Sequence, residues 1–187
     1  MEYFVKIRHT LIEGLFVVSS TSMIDQRGQF SRLFCANELL SVLGERRIVQ
    51  INHSITYKVG TVRGMHFQYK PFSEMKFVRC VKGRIWDVAI DLRSNSKTFL
   101  KWHAEELSQN SGEMMLIPEG CAHGFQVLES DSELLYLHTA YFEKSSEGGV
   151  RFDDPLIRIH WPLPITDLSI RDQNHQFLEK NFSGIEI

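Results

Sequence analysis

Two short stretches of the 187-residue chain bring together residue types that transfer protons and bind anions. The first, residues 61–68, contains Arg63 and His66 and is followed by Lys76, and the second, residues 117–125, contains His123. Histidine gains and loses a proton near neutral pH, whereas arginine and lysine carry fixed positive charges. The two stretches therefore indicate a polar pocket, and a few local cations of this kind are enough to bind a small anion such as a nucleotide.

The elements that must position these residues are short segments with period-2 alternation, which is typical of strands. In the clearest of them, residues 84–92, large apolar residues from Trp86 to Leu92 alternate with a second set that includes Asp87 and Asp91. We interpret the two aspartates as the polar face of a strand. The predicted strands are 14–19, 48–55, 61–67, 76–81, 84–92, 99–107, 113–118, 123–128 and 134–141.

Few segments have helical features. Asn37 is the predicted N-cap of a helix over residues 38–43 that ends at Gly44, and the tail between residues 172 and 180 is expected to hold another short helix. A succession of short strands with so few helices predicts an all-β fold, either an antiparallel sandwich or a barrel.

Composition narrows the class of protein. Hydrophobic residues make up 43% and charged residues 24%, which excludes general disorder. The formal charge of −2 argues against binding of nucleic acid through its backbone. No stretch approaches the roughly 18 consecutive apolar residues of a membrane helix, and the N-terminus has no signal-peptide pattern. With three widely spaced cysteines, we expect a cytoplasmic protein with reduced thiols and no membrane or nucleic-acid partner.

The pattern Pro118-x-Gly120-x-x-His123 is similar to the second-half signature of a cupin, a small double-sheet jelly roll. Metal-binding cupins carry His-x-His and a nearby Glu in their first half, whereas this chain has Gln68 in place of the second histidine. His66, His123 and Glu74 would form only a weak set of metal ligands. The pattern therefore favours a jelly-roll pocket without a metal.

A longer series of motifs resembles the dTDP-4-dehydrorhamnose 3,5-epimerase family from about residue 14 to residue 172. The motifs, in chain order, are Gln50-x-Asn52-x-Ser54, Arg63-Gly-Met-His66-Phe-Gln68, Lys76, Asp87-Val-Ala-Ile-Asp91-Leu-Arg93, Pro118-x-Gly120-x-Ala122-His123-Gly124-Phe125, Tyr136, Trp161-Pro162 and Ser169-Ile-Arg-Asp172. The resemblance implies a cupin double-stranded β-helix with short flanking helices, as one domain over 1–187 with a C-terminal tail from about 172. It also implies a homodimer that exchanges N-terminal strands, and neither metal nor organic cofactor.

The resemblance also implies catalytic roles, which fit the chemistry of epimerisation beside a ketone. His66 would remove the proton, and Asp172 would hold its imidazole in orientation. Tyr136 takes the position of the proton donor on the opposite face of the sugar. Lys76 would stabilise the enolate that forms at the C4 carbonyl.

The binding residues follow from the same resemblance. His123 would contact the sugar, Arg63 would hold the diphosphate, and Arg27 would contact the nucleotide from the partner subunit. The aromatic residue expected to stack on the base is Phe142, where Tyr is common. The remaining members of the implied binding shell are Gln50, Asn52, Glu147 and Arg171.

Three further positions depart from the family pattern. Arg32 stands where the family commonly has a Glu of the nucleotide site. Because arginine donates hydrogen bonds where glutamate accepts them, the sugar could be carried by cytidine, uridine or guanosine instead of thymidine. Glu74 stands where Gln is common before Lys76, where it could tune that lysine or alter sugar selectivity. Leu137 replaces a common Lys.

The sequence therefore predicts an epimerase that acts at C3, C5 or both on a nucleotide-linked 4-keto-6-deoxyhexose. The alternatives are a single-carbon epimerase on a non-thymidine sugar, a 3,4-ketoisomerase, and a sugar-nucleotide-binding cupin without catalysis.

Overall fold

Antiparallel strands dominate the computed structural model, which describes residues 5–187. The first four residues of the predicted domain 1–187 lie outside this range. The strands are β1 Val5–His9, β2 Phe16–Ser20, β3 Ser22–Asp25, β4 Gly28–Ser31, β5 Gln50–Thr56, β6 Val62–Gln68, β7 Lys76–Lys82, β8 Arg84–Asp91, β9 Trp102–Ser108, β10 Glu113–Ile117, β11 Cys121–Val127, β12 Ser132–His138 and β13 Glu147–Gly149. The α-helices are α1 Leu40–Leu43 and α2 Ile170–Asn174.

Two sheets face each other. One has six strands in the order β1-β2-β10-β7-β12-β5, and the other has five in the order β13-β6-β11-β8-β9. Strands β3 and β4 form a separate hairpin. The apolar cluster between the sheets takes Val78 and Leu134 from the first sheet and Ile85, Ala89 and Phe125 from the second. The predicted all-β cupin jelly roll is thus confirmed.

Strand β8 corrects one prediction made from its alternation. Asp87 and Asp91 do lie on one face, but both are fully buried and the face points into the space between the sheets. Trp86, Val88 and Ile90 instead face away from that space, and they belong to an apolar cluster with Ile185 of the C-terminal segment. Period-2 alternation identifies residues that share a face, but it does not say which face is interior when both are covered.

The predicted strand boundaries mostly agree with those observed. The largest differences at one end are three residues. Strand β12 ends at His138 rather than at residue 141, and β9 begins only at Trp102 because Leu100 has a positive φ of 59° that interrupts extended structure. Strands β1, β3, β4 and β13 were not predicted. All four are only three to five residues long and lie at a sheet edge or in the hairpin, where a strand need not bury every second residue.

The helices are shorter than expected. Helix α1 has Leu39 at its N-cap position without a side-chain hydrogen bond, so the assignment of Asn37 as N-cap is wrong. Helix α2 begins at Ile170 and ends at Asn174, earlier than the predicted range. No helix within residues 5–187 is long and apolar enough to cross a membrane.

Candidate active site

One cavity of about 530 Å³ opens between the two sheets. Its walls contain ten of the thirteen predicted site residues: Asn52, Arg63, His66, Lys76, His123, Tyr136, Phe142, Glu147, Arg171 and Asp172. Gln50 does not line the cavity, but it contacts two residues that do. Its side chain accepts a hydrogen bond from the backbone N–H of Phe142 at 3.1 Å and donates one to Asn52 at 3.3 Å.

His66 and Asp172 form a hydrogen-bonded pair although they are 106 residues apart in sequence. His66 lies on β6, and its Nε2 donates to Oδ1 of Asp172 over 2.7 Å. Asp172 is held in the first turn of α2, whose N-cap Ser169 accepts the Asp172 backbone N–H at 3.0 Å. The other oxygen, Oδ2, accepts the backbone N–H of Gly64 at 3.2 Å. The carboxylate is therefore oriented from both sides.

The charge of Asp172 is stabilised by these contacts. Burial alone would raise its pKa, but the hydrogen bond and charge of His66, followed by the N–H of Gly64, lower the pKa to about 2. An ionised carboxylate accepts the proton on Nε2 of His66, so Nδ1 is the ring nitrogen that can act as a base. The pair thus has the arrangement of a general base whose imidazole is oriented by a carboxylate.

Arg171 and Glu147 lie next to this pair. The guanidinium of Arg171 has its Nη1 2.9 Å and 3.0 Å from the two Glu147 carboxylate oxygens, and its Nη2 lies 2.9 Å from Nε2 of His66. Both residues belong to the predicted binding shell, and in the structure they lie beside His66.

A second pair formed by a histidine and an aspartate lies deeper in the cavity. His123 on β11 is opposite His66 in the strand register, and its Nε2 donates to Oδ1 of Asp87 over 2.7 Å. Burial raises the pKa of Asp87, and His123 opposes that rise. Asp87 is absent from the predicted site residues because it was interpreted only as part of the polar face of a strand. The register that pairs Asp87 with Phe125, two residues beyond His123, is the signal that places it here.

Tyr136 is partly buried on β12 and packs against the apolar cluster between the sheets. Burial raises the pKa of its hydroxyl above the ordinary value of a tyrosine. The hydroxyl lies 3.1 Å from Oγ of Ser54 on β5. A tyrosine in this environment remains protonated at neutral pH and can donate a proton.

Lys76 begins β7 and is held by a buried carboxylate. Its Nζ lies 3.1 Å from Oε1 of Glu74, and the other Glu74 oxygen accepts a 2.6 Å hydrogen bond from Nδ1 of His138. Burial would raise the pKa of Glu74, but Lys76 and His138 lower it. His138 was not predicted, although it lies two residues from Tyr136 on the same strand face, with the two rings 6.2 Å apart.

The groups that could act on a ligand are divided between the sheets. His66, Arg63 and His123 belong to the five-stranded sheet, whereas Lys76 and Tyr136 belong to the six-stranded sheet. A ligand in the cavity therefore has a basic histidine from one sheet and a lysine and a tyrosine from the other. Arg63 also donates a 3.0 Å hydrogen bond to Thr56, which directs its guanidinium along the cavity wall.

Arg27 and Arg32 do not line the cavity. Arg27 lies at the tip of the β3–β4 hairpin with a side chain 89% exposed, and its Nη2 is 2.7 Å from Asp25. Arg32 follows β4 and donates to Glu38. Within one chain, therefore, the two predicted nucleotide contacts are not gathered with the others.

Residues 5–187 contain one group of three potential metal ligands within 4.8 Å of one another: His66, Asp172 and His175. Arg171 contacts two of the three, with its Nη2 2.9 Å from Nε2 of His66 and its Nε 3.3 Å from Oδ1 of Asp172, and its positive charge disfavours a divalent cation there. The weaker set considered from the sequence is not gathered, since its members bond to different partners: His66 to Asp172, His123 to Asp87, and Glu74 to His138.

Solved structures share this fold over almost the whole chain. A dTDP-6-deoxy-D-glucose-3,5-epimerase from Legionella pneumophila, in complex with dTDP-4-keto-L-rhamnose, superposes with a TM-score of 0.88 at 34% identity, covering 92% of each chain. Fold and cavity together define a carbohydrate epimerase of the cupin type.

The family model described as dTDP-4-dehydrorhamnose 3,5-epimerase matches residues 9–180. A dTDP-4-dehydrorhamnose 3,5-epimerase of Sinorhizobium fredii is 42% identical over 138 residues, which are 74% of this chain and 71% of the relative. A dTDP-4-dehydrorhamnose 3-epimerase of Streptomyces niveus is 33% identical over 170 residues, 90% of this chain and 82% of the relative. The chain belongs to the dTDP-4-dehydrorhamnose 3,5-epimerase family, as its motifs predict.

Proposed function

We propose that this protein inverts C3, C5 or both in a nucleotide-linked 4-keto-6-deoxyhexose by removing a proton beside the C4 ketone. The observation that carries the proposal is the 2.7 Å hydrogen bond between His66 and Asp172, made in the same cavity that contains Lys76 and Tyr136. Relatives include both a 3,5-epimerase and a 3-epimerase, so each carbon is a candidate.

In the proposed reaction, Nδ1 of His66 accepts the proton from carbon while Asp172 stabilises the imidazolium that forms. The electron pair moves onto the C4 oxygen, and the ammonium of Lys76 stabilises this enolate. Tyr136 returns a proton to the opposite face, which inverts the carbon. Because burial raises the pKa of Tyr136, its hydroxyl stays protonated until the proton is transferred to the carbon.

The nucleotide is proposed to extend along the outer part of the cavity. Arg63 binds the diphosphate through its guanidinium, and Phe142, whose side chain is exposed at the rim, stacks on the base. Gln50, Asn52, Glu147 and Arg171 complete the shell, and His123 contacts the sugar. With Arg32 in place of the common Glu, the carrier can differ from thymidine diphosphate.

A homodimer would complete the nucleotide site. The β3–β4 hairpin exposes Met23, Ile24 and Phe30 at 50%, 77% and 64%, an apolar surface suited to a second copy of the chain. In such a dimer, Arg27 at the hairpin tip would contact the nucleotide of the partner.

We further propose that the chain is one domain over 1–187. It works in the cytoplasm, where Cys35, Cys80 and Cys121 are reduced.

The experiment that tests the function is proton NMR in D2O with dTDP-4-keto-6-deoxyglucose and catalytic amounts of protein. Loss of the C3 or C5 proton signal supports the proposal, and the signals that disappear name the inverted carbons. Without loss, the CDP, UDP and GDP sugars are tested in turn. Ligand-dependent thermal protection without exchange by any of the four sugars would instead identify a binding protein.

A further inference from the structure

A chain of hydrogen bonds joins the nucleotide end of the cavity to the lysine at its reactive end. It begins at the backbone N–H of Phe142, which donates to Oε1 of Gln50 at 3.1 Å. The amide nitrogen of Gln50 donates to Oδ1 of Asn52 at 3.3 Å, and Nδ2 of Asn52 lies 3.3 Å from Nε2 of His138. From there the chain continues through Nδ1 of His138 to a Glu74 oxygen at 2.6 Å.

The direction of every bond in this chain follows from its first member. A backbone N–H can only donate, so the Gln50 atom facing Phe142 must be the oxygen and the amide cannot be flipped. Asn52 then accepts with its oxygen and donates with its nitrogen. His138 in turn accepts at Nε2 and donates from Nδ1, which is the neutral imidazole with its proton on Nδ1.

The chain ends on the cation that the proposed reaction needs. Glu74 is 7% exposed and receives His138 on one oxygen and Lys76 on the other, at 2.6 Å and 3.1 Å. With His138 neutral, the charges of Glu74 and Lys76 balance, so no net charge is buried at this point. Lys76, itself 10% exposed, is thereby held in one place in spite of its flexible side chain.

We infer that Glu74 and His138 are positioning residues, which fix the ammonium of Lys76 against the cavity and connect its position to the nucleotide end at Phe142. This inference rests on the proposed function, because Lys76 is the group that stabilises the enolate there. Neither residue needs to touch the sugar for this role. Displacement of a catalytic group by about 1 Å can cost on the order of a hundredfold in rate.

The first test is Glu74→Gln, which keeps the size of the side chain but removes the charge that pairs with Lys76. We expect proton exchange at the sugar to slow by on the order of ten- to a hundredfold, while the Kd for dTDP measured by calorimetry stays unchanged. A faster exchange would mean that Glu74 weakens the cation by neutralising it, which would overturn the inference.

The chain offers a matched control on the outer surface. Glu133 also pairs with a lysine and a histidine, at 3.1 Å from Nζ of Lys82 and 3.1 Å from Nε2 of His53. These residues come from the same strands β12, β7 and β5. Of the three, only His53 lines the cavity, and the substituted Glu133 does not. Glu133→Gln should leave exchange at the rate of the unchanged protein. Equal slowing in both variants would indicate a general effect of removing a carboxylate.

Double substitution shows whether Glu74 acts through Lys76. Lys76→Met removes the ammonium, and adding Glu74→Gln to it should cause no further loss of exchange. A full additional loss would contradict the inference. His138→Asn retains a donor toward Glu74 and should keep more activity than His138→Phe, which has none. Thermal unfolding of each variant separates misfolding from displacement.

A readout without substrate separates failure of this inference from failure of the proposed function. In 15N-labelled protein, the ammonium signal of Lys76 is assigned by its loss in Lys76→Met. We expect it to broaden in Glu74→Gln and His138→Phe but not in Glu133→Gln. If that pattern holds in a protein that exchanges no sugar proton, the function fails alone; an unaltered Lys76 signal overturns the positioning role alone.

Discussion

At the scale of single residues, the hydrogen bond to Asp172 sets which ring nitrogen of His66 can act as a base. Since ionised Asp172 accepts the Nε2 proton, Nδ1 is the nitrogen that we propose as the base. We expect His66→Ala to abolish proton exchange while the Kd for dTDP stays nearly unchanged, as measured by NMR in D2O and calorimetry. His103→Ala, a histidine on β9 bonded to Glu105, is the control and should exchange normally. Loss of dTDP binding with residual exchange would reverse the assignment of His66.

The same pair makes stability depend on pH. The folded-state pKa of Asp172 is about 2, below the roughly 3.9 of an unfolded aspartate. Its stabilising contribution, about 2 kcal/mol, is therefore present above about pH 4 and lost as the pH falls toward 2. We expect the free energy of unfolding of Asp172→Asn, from urea titrations, to fall less steeply over this interval than that of the unchanged protein. Parallel curves would contradict the contribution of Asp172.

At the scale of elements, β6 and β11 approach so closely beside His66 that only glycine fits. Gly64 has φ +130°, and a Cβ there would lie 2.5 Å from Cα of Gly124 and 2.9 Å from the carbonyl oxygen of His123. We expect Gly64→Ala to lower the free energy of unfolding by about 2 kcal/mol or more. Gly64 also donates its N–H to Asp172, so exchange should slow as well.

The β3–β4 hairpin provides the control for this prediction. Gly28 has the same φ of +130°, but a Cβ there meets nothing within 4 Å. Gly28→Ala should therefore cost only the backbone strain, about 1 kcal/mol. Chemical denaturation of the two variants separates strain from collision. Equal losses would mean that the close approach of Gly64 to β11 contributes nothing.

The elements also show how far sequence can predict this molecule. Alternation located most strands, and the resemblance placed His66, Lys76, Tyr136 and Asp172 together in one cavity. Alternation could not tell that Asp87 faces inward, because in a sandwich whose outer face is also covered both sides of a strand are buried. The hydrogen bonds of His138 to Glu74 and Asn52 join strand β12 to the segment before β7 and to strand β5. Because these elements are far apart in the chain, no spacing within one segment predicts the bonds.

At the scale of the whole molecule, the exposed apolar hairpin predicts self-association. Ile24→Lys places a charge on a residue that is 77% exposed and should shift the protein toward monomer in sedimentation velocity. Leu156→Lys, at a residue 41% exposed outside the hairpin, is the control and should leave the sedimentation coefficient unchanged. A dimer that persists in Ile24→Lys would place the interface elsewhere.

The division of the proposed base and acid between two sheets has a stereochemical consequence. His66 and Tyr136 are separated by the width of the sandwich, and that width is maintained by apolar side chains such as Val78, Ala89 and Phe125, which lie between the sheets. These side chains never need to meet the sugar. Nevertheless, a change in their volume alters the gap across which a planar enolate is reprotonated. Fidelity of inversion is then a property of the hydrophobic core, and loosened packing would be detected in D2O as sugar that has gained deuterium but kept its original configuration.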